Sequence, residues 1–149
     1  MTGRRARSRG FTLLELLVVL TLIGLLLVVL PPLITSGGGI GLEVAARDLA
    51  SALQRAQSRA ITQNREVALV LDLNAHRYQI GPSGEAHTLP AELGLGLRTA
   101  RSELVDQATG AIRFYPDGSS TGGEITLSSK ARSVHVAVDW LTGRVAIQE

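Results

Sequence analysis

The sequence predicts an α+β protein: an N-terminal transmembrane helix, then a second helix packed on antiparallel β-sheets of short strands. A long, almost wholly apolar run stands near the N-terminus. Apolar residues then recur every three or four positions over residues 42–64, which is typical of an amphipathic helix. Further on, apolar and polar residues alternate in roughly six short runs, which is typical of strands. A helix followed by a series of strands indicates the α+β class.

The composition limits the chain to one small domain. Its 149 residues are enough for a single hydrophobic core and too few for two full domains. The absence of cysteine excludes disulfides, cysteine-based zinc sites and cysteine nucleophiles. Aromatic residues make up only 3% of the chain, which is unfavourable for platforms that stack nucleic-acid bases.

The positive charge is concentrated at the N-terminus. Residues 1–10 contain four arginines and no acid, although the net charge of the whole chain is only +2. Without those ten residues the chain has 11 basic and 13 acidic side chains. The sequence therefore disfavours a nucleic-acid partner for the rest of the protein.

Residues 11–30 form the apolar run and contain one charged residue, Glu15. As a helix the run would be about 30 Å long, the thickness of the hydrocarbon core of a bilayer. Arginines before the run and none just after it predict a cytoplasmic N-terminus, with the residues after Pro31 across the membrane. The alternative is a cleaved secretory signal peptide, which the length of the run and its carboxylate disfavour.

Residues 31–41 are predicted to form a kinked or melted joint. Pro31 and Pro32 lack the N–H groups that a helix needs, and three glycines follow at 37–39. The second helix is predicted over 42–64, with one apolar stripe formed by Leu42, Ala46, Leu49, Leu53, Ala56 and Ala60.

Strands are predicted from alternation and from the turn residues that bound them. The predicted runs are 66–73, 76–80, 112–115, 125–127, 134–140 and 144–148, with a weaker, glycine-interrupted one at 93–97. Residues 116–123 are rich in proline, glycine and serine, and are expected to form a permissive turn. Trp140 ends the clearest alternation and is expected to pack in the core or on a sheet.

The N-terminal motif GFTLLE, which begins at Gly10, resembles the processing site of type IV prepilins and type II secretion pseudopilins. The resemblance implies that a prepilin peptidase removes the basic leader 1–10 after Gly10 and that Phe11 is then N-methylated. It also implies that residues 11–30 stay on the mature chain as a transmembrane and assembly helix, and that Glu15 acts in fibre assembly. The implied partners are the prepilin peptidase/N-methyltransferase, other pseudopilins through the N-terminal helix, and inner-membrane lipid.

A second resemblance covers the C-terminal part. The segments IRFYPDGSSTGGEITL and VHVAVDWLTGRVAI are similar to the H-type minor pseudopilins of type II secretion and to related minor pilins. It implies that residues 42–149 form a pilin-like periplasmic head on a fibre that drives protein export. Residues 82–110 carry no such resemblance.

Three alternatives remain open at this point. The chain could be a minor type IV pilin that serves pilus assembly, adhesion or DNA uptake. It could be a transformation pilin whose head grips DNA phosphates, which the acidic balance of the head disfavours. It could also be a secreted hydrolase with a signal anchor, for which no residue pattern speaks.

No catalytic residue, metal site, cofactor or small-molecule substrate is expected. His76, His87 and His135 do not stand at metal-ligand spacing, and the sequence has no HExxH, GxSxG or phosphate-loop pattern. The sequence therefore predicts a structural protein rather than an enzyme.

Overall fold

The computed structural model describes residues 13–35, 40–130 and 132–148. The chain divides into two compact units, Met1–Gly37 and Gly38–Glu149. The predicted leader, Gly10 and Phe11 lie outside the described residues.

The first unit contains helix α1, Leu13–Thr35. Its backbone stays helical through Pro31 and Pro32. A proline keeps a helical φ, but it removes the hydrogen bond that its own N–H would donate and its ring crowds the carbonyl of the preceding turn, so a helix can continue past it only at a cost. A kink at the prolines stays a prediction. Over the described part of the chain, no helix is both long and apolar enough to cross a membrane.

The second unit, called the head below, begins with helix α2, Ile40–Gln63. This helix confirms the one predicted over 42–64, and its helical backbone also includes residues 40 and 41. The joint predicted at 31–41 stays a prediction. Residues 36–39 lie outside the described part. The predicted stripe is fully buried, and Ala45, Ala50 and Ala52 widen it. Alanines on the buried face let the backbone of α2 approach the strands closely.

Eight strands follow in the described residues, where roughly six were predicted. They are β1 Val67–Asp72, β2 Arg77–Ile80, β3 Ala86–Thr88, β4 Gly94–Thr99, β5 Thr109–Phe114, β6 Gly123–Ser129, β7 Arg132–Val138 and β8 Val145–Gln148. A short 3₁₀-helix, Arg101–Glu103, precedes β5. Strand β3 was not predicted because all three of its residues are exposed and show no alternation. Strand β4 confirms the weaker prediction despite its glycines.

The strands form two antiparallel sheets. The first has the order β3-β2-β1-β5 and the second β4-β6-β7-β8. Helix α2 contacts β1 and β5 of the first sheet and β6, β7 and β8 of the second, so it covers both. The core therefore lies between the helix and the two sheets, where Phe114, Leu49, Leu69, Ile125 and Val136 are completely buried.

The expectation for Trp140 is wrong. Strand β7 ends at Val138, so Trp140 lies in the turn that follows it, and 66% of its surface is exposed. Alternation along a strand fixes side-chain direction only while the extended backbone continues.

Candidate assembly surfaces

Apolar side chains surround the described N-terminal part of α1. Leu13 is 83% exposed, and the other exposed large apolar residues of this segment are Leu14, Leu16, Leu17, Val18, Val19, Leu20, Leu22, Ile23 and Leu25. Successive helical residues point in different directions, so this surface has no polar face. A helix that is apolar all round is buried among other apolar groups, in lipid or in protein.

Three residues interrupt this apolar surface. Glu15 is the acid of the first turn of α1. The Thr21 hydroxyl lies 2.9 Å from the carbonyl oxygen of Leu17 and 2.8 Å from that of Val18, so its own helix satisfies it. An added Cβ on Gly24 would have no atom within 4 Å, so this position leaves room for a neighbouring helix.

In the head, Gln57 of α2 holds two loops together. Its Nε2 donates to the carbonyl oxygens of Gly118, at 2.9 Å, and Thr142, at 3.0 Å. The Ser120 amide also donates to the Trp140 carbonyl at 2.9 Å, which ties one loop to the other. The exposed Trp140 therefore stands on a turn that hydrogen bonds fix from two sides.

Carboxylates close the tight turns of these two loops. Asp139 Oδ1 accepts hydrogen bonds from the amides of Leu141, at 3.1 Å, and Thr142, at 2.8 Å, and from the Thr142 hydroxyl at 2.8 Å. The bonds from Thr142 lower the pKa of Asp139 most. The hydroxyl and amide of Ser119 likewise lower the pKa of Asp117. The loop 116–123 is thus a carboxylate-capped turn, as its composition predicted.

A charged cluster links the 3₁₀-helix to β5. Glu103 is only 8% exposed and accepts two hydrogen bonds from Arg113, from Nε at 3.0 Å and from Nη2 at 3.2 Å. Arg113 Nη1 also lies 3.3 Å from Glu66 Oε2. The hydrogen bonds to Glu103 raise the pKa of Arg113. The Arg113 guanidinium and the Glu103 carboxylate form two roughly parallel hydrogen bonds. This contact fixes the 3₁₀-helix, and with it the connection between β4 and β5, against β5.

Next to this cluster lies a groove of about 350 Å³, called the arginine groove below. Aliphatic residues and Gln79 line it together with charged side chains. The lining residues are Arg59, Arg65, Glu66, Val67, Ala68, Val70, Gln79, Ile80, Gly81, Pro82 and Arg113.

The three histidines lie in separate places. His76 Nδ1 is 3.3 Å from the Pro90 carbonyl oxygen, the ring of His87 stacks on Tyr78 at 5.2 Å, and His135 Nδ1 is 3.2 Å from Thr126 Oγ1. Among the described residues, no group of three or more His, Cys, Asp or Glu side chains could hold a metal ion.

The sequence analysis did not single out Gln57 or Glu103. The two carbonyl groups that Gln57 binds belong to residues 61 and 85 positions further along the chain. The partner of Glu103 likewise belongs to another element, so no local pattern marks either residue. An acid between a serine and a leucine, as at Glu103, carries no signal that it will be buried.

Comparison with known families and proteins finds matches both for the N-terminal motif and for the head. The family model of the type II transport protein GspH matches residues 45–142, and the model of the prokaryotic N-terminal methylation motif matches residues 5–31. The type II secretion system protein H of Xanthomonas campestris pv. campestris is 36% identical over 142 residues, which cover 95% of this chain and 83% of that protein.

Two solved structures have the same fold. The minor pseudopilin EpsH of Vibrio cholerae superposes with a TM-score of 0.56 at 14% identity, covering 72% of this chain and 95% of that one. The type IV minor pilin FimU of Pseudomonas aeruginosa superposes with a TM-score of 0.55 at 19% identity, covering 72% and 88%. At these identities the two structures establish the pilin-like fold and do not separate a secretion subunit from a pilus subunit.

The family model and the Xanthomonas relative make that distinction, since both are type II proteins of the H kind and together cover nearly the whole chain. The chain therefore belongs to the GspH family of type II transport proteins and is a minor pseudopilin of the type II secretion system.

Proposed function

We propose that this minor pseudopilin is anchored in the inner membrane by residues 11–30 and then enters the periplasmic pseudopilus through the same helix. The proposed precursor is cut between Gly10 and Phe11, and Phe11 is N-methylated. The match of the methylation-motif model to residues 5–31 supports this processing. The proposed topology, with the N-terminus cytoplasmic and the head periplasmic, rests on the four arginines before the run.

The observation that carries the proposal is the surface of α1. Its described N-terminal part is apolar on every side and has one carboxylate in the first turn. Such a helix suits both a bilayer and the interior of a helical bundle. Because the tails of lipids are as apolar as leucine, packing and polar contacts decide which helices associate.

The proposed role of Glu15 follows from its position in the processed chain. Cleavage leaves a positively charged amine on Phe11, and N-methylation keeps that charge. Glu15 comes four residues later, about 6 Å along a helix axis. The two charges could pair within one chain or between neighbouring subunits. We favour the pair between subunits because only one axial stagger then brings the charges together in a poorly hydrated core.

Processing is tested by mass spectrometry of the protein recovered from membranes. The expected mature N-terminus is N-methylated Phe11. Gly10→Val is expected to leave the leader attached, while Gly3→Val, in the same leader, is the matched control and should be processed normally. A mature chain that begins near Gly37 would show signal-peptidase cleavage and contradict the proposal.

Assembly is tested by cross-linking the subunit into pseudopili. Glu15→Gln keeps the shape of the side chain and removes its charge, and Glu15→Leu suits lipid better. Both variants are expected to insert and to be processed, yet to enter the fibre poorly. Leu16→Ile, an apolar change one position on, should be incorporated normally. Normal incorporation of Glu15→Leu with intact secretion would reject the proposed register role.

The fold similarity to FimU keeps a pilus role as a second candidate. Deletion of the gene distinguishes the two. Loss of protein export with normal surface pili is expected for the secretion role, and loss of pili with normal export for the other.

A further inference from the structure

The arginine groove lies on the face of the first sheet that points away from the core. On β1, Leu69 and Leu71 are buried in the core, while their neighbours Ala68 and Val70 are partly exposed on the opposite side. Ala68 and Val70 line the groove together with Pro82, which gives it a small aliphatic floor. At about 350 Å³ it is within the size range of pockets that hold ligands.

The positive charge of the groove is only partly compensated. Arg113 is paired with Glu103 and Glu66. Arg59 and Arg65 are exposed and form no salt bridge within the described part of the chain; Arg65 Nε donates instead to the neutral Gln63 side chain at 2.8 Å. The whole head, residues 42–149, has 11 basic and 12 acidic side chains. The groove therefore has the opposite sign from the head that carries it.

The combination of exposed guanidinium groups and an aliphatic floor favours an occupant that carries both carboxylates and an aliphatic side chain. A guanidinium fork binds a carboxylate through two parallel hydrogen bonds, and a partly exposed aliphatic floor accepts an aliphatic side chain. No aromatic side chain lines the groove, so it offers no platform on which nucleic-acid bases could stack.

We propose that the arginine groove is a docking site for an acidic segment of a partner protein: an extended peptide that places an aliphatic side chain between two carboxylates. Charge complementarity with Arg59 and Arg65 carries the proposal, and Val70 contributes the apolar contact. The proposal goes beyond membership in the pseudopilus, because neither processing nor assembly through α1 requires this groove.

The test uses the full chain in neutral detergent and a fluorescein-labelled peptide with the order Gly-Asp-Val-Glu-Gly, blocked at both ends. The matched probe replaces Asp by Asn and Glu by Gln. Fluorescence anisotropy is followed at about 20 mM and about 200 mM salt, since exposed charge pairs are screened in this range. The acidic peptide is expected to bind more tightly at low salt, and the neutral one about tenfold more weakly.

Substitutions then locate the site. Arg59→Gln and Arg65→Gln are each expected to weaken binding about two- to fivefold, as befits exposed ion pairs. Val70→Thr, which keeps the shape of the side chain, is expected to weaken binding without changing the salt dependence. Arg47→Gln is the matched control, because Arg47 is an exposed arginine on the same helix, paired with Glu43 and outside the groove. It should leave binding unchanged.

Four results would overturn the proposal. They are the absence of acidic-peptide binding at low salt, equal binding of the neutral peptide, an equal loss in Arg47→Gln, and displacement of the peptide by phosphatidylglycerol vesicles through the same arginines. The last result would assign the groove to a lipid surface instead.

Discussion

Asp139 shows how much of the head depends on single exposed carboxylates. Its Oδ1 accepts three hydrogen bonds from the two residues that follow Trp140, and these bonds exist in full only while the carboxylate is charged. The same kind of turn occurs at Asp117 with Ser119 and at Asp106, whose Oδ1 accepts from the amides of Ala108 and Thr109 at 2.7 Å. The pKa of each of these aspartates is lowered by the bonds it accepts.

The lowered pKa predicts the pH dependence of the Asp139 turn. A carboxyl whose pKa is lower in the folded state stabilises that state above its unfolded pKa, about 3.8, and the contribution is lost as the pH falls through the folded value. Asp139→Ala is therefore expected to lower the urea midpoint of unfolding near neutral pH and to have little effect near about pH 2. Circular dichroism of the full chain at each pH measures this. Glu92→Ala, which removes another exposed carboxylate, controls for net charge, and a pH-independent effect of Asp139→Ala would contradict the prediction.

At the residue scale, prediction succeeds where a residue is unusual among its own neighbours. Glu15 is a charge inside an apolar run, so the sequence alone draws attention to it. Gln57 and Glu103 are ordinary polar residues among other polar residues, and only the folded chain brings their partners to them. The expectation for Trp140 failed because β7 ends at Val138, two residues before it, so the alternation of the strand no longer fixes the direction of its side chain.

At the scale of elements, α2 acts as the scaffold of the head. Its buried face covers both sheets, and at its C-terminal half Gln57 ties down the loops after β5 and β7. Gly143 completes this arrangement: its φ is 62°, and an added Cβ would collide with the Gly118 carbonyl and the Gln57 side chain. Glycine at position 143 is thus favoured both by the backbone conformation of the turn and by the close approach of α2.

Gln57→Ala is expected to destabilise the head by about 1–2 kcal/mol, because it leaves two loop carbonyls without their donor. Gln54→Ala, an exposed glutamine one turn earlier on α2, should change the free energy of unfolding by less than about 0.5 kcal/mol. Urea unfolding followed by circular dichroism compares the two. Equal effects would mean that the loops do not depend on Gln57.

Helices and strands with a strong apolar periodicity were predictable from the sequence. Elements that form mainly through contacts with distant parts of the chain were not. The stripe of α2 and the alternation of β1, β6 and β7 reflect burial of one face, which the sequence must encode. Strand β3 and the 3₁₀-helix bury little apolar surface, so nothing in their composition predicts them. Proline weakens a helix without always ending it, so the helical backbone at Pro31 and Pro32 is compatible with the predicted kinked joint, which stays a prediction.

At the scale of the whole molecule, the buried apolar cluster formed by the residues whose burial is described lies in the head. Every member of the buried apolar cluster lies between Leu42 and Val138. The division of the chain into two compact units agrees with this. Stability of the head should therefore not depend on α1.

A chain that begins at Ile40 is expected to be soluble and to unfold cooperatively, because it keeps the complete core. A chain that begins at Leu53 is the control: it lacks Leu42, Ala46 and Leu49, which are buried in that core, and it should not unfold cooperatively. Calorimetry and urea unfolding decide between these outcomes. Aggregation of the Ile40 chain would show that the head needs its neighbours in the fibre.

The apolar surface of the described N-terminal part of α1, which Glu15 interrupts, has a consequence for the energetics of the proposed assembly. A helix of this kind has nearly the same solvation free energy among lipid tails as among the helices of a fibre. In the proposed anchoring and assembly, moving a subunit from bilayer to fibre is then close to an isoenergetic transfer, in which the hydrophobic effect neither drives the subunit out nor holds it back. The machine that extends the pseudopilus would need to supply work only for displacement and for the change in the surroundings of Glu15, and the same balance would let a subunit return to the membrane when the fibre shortens.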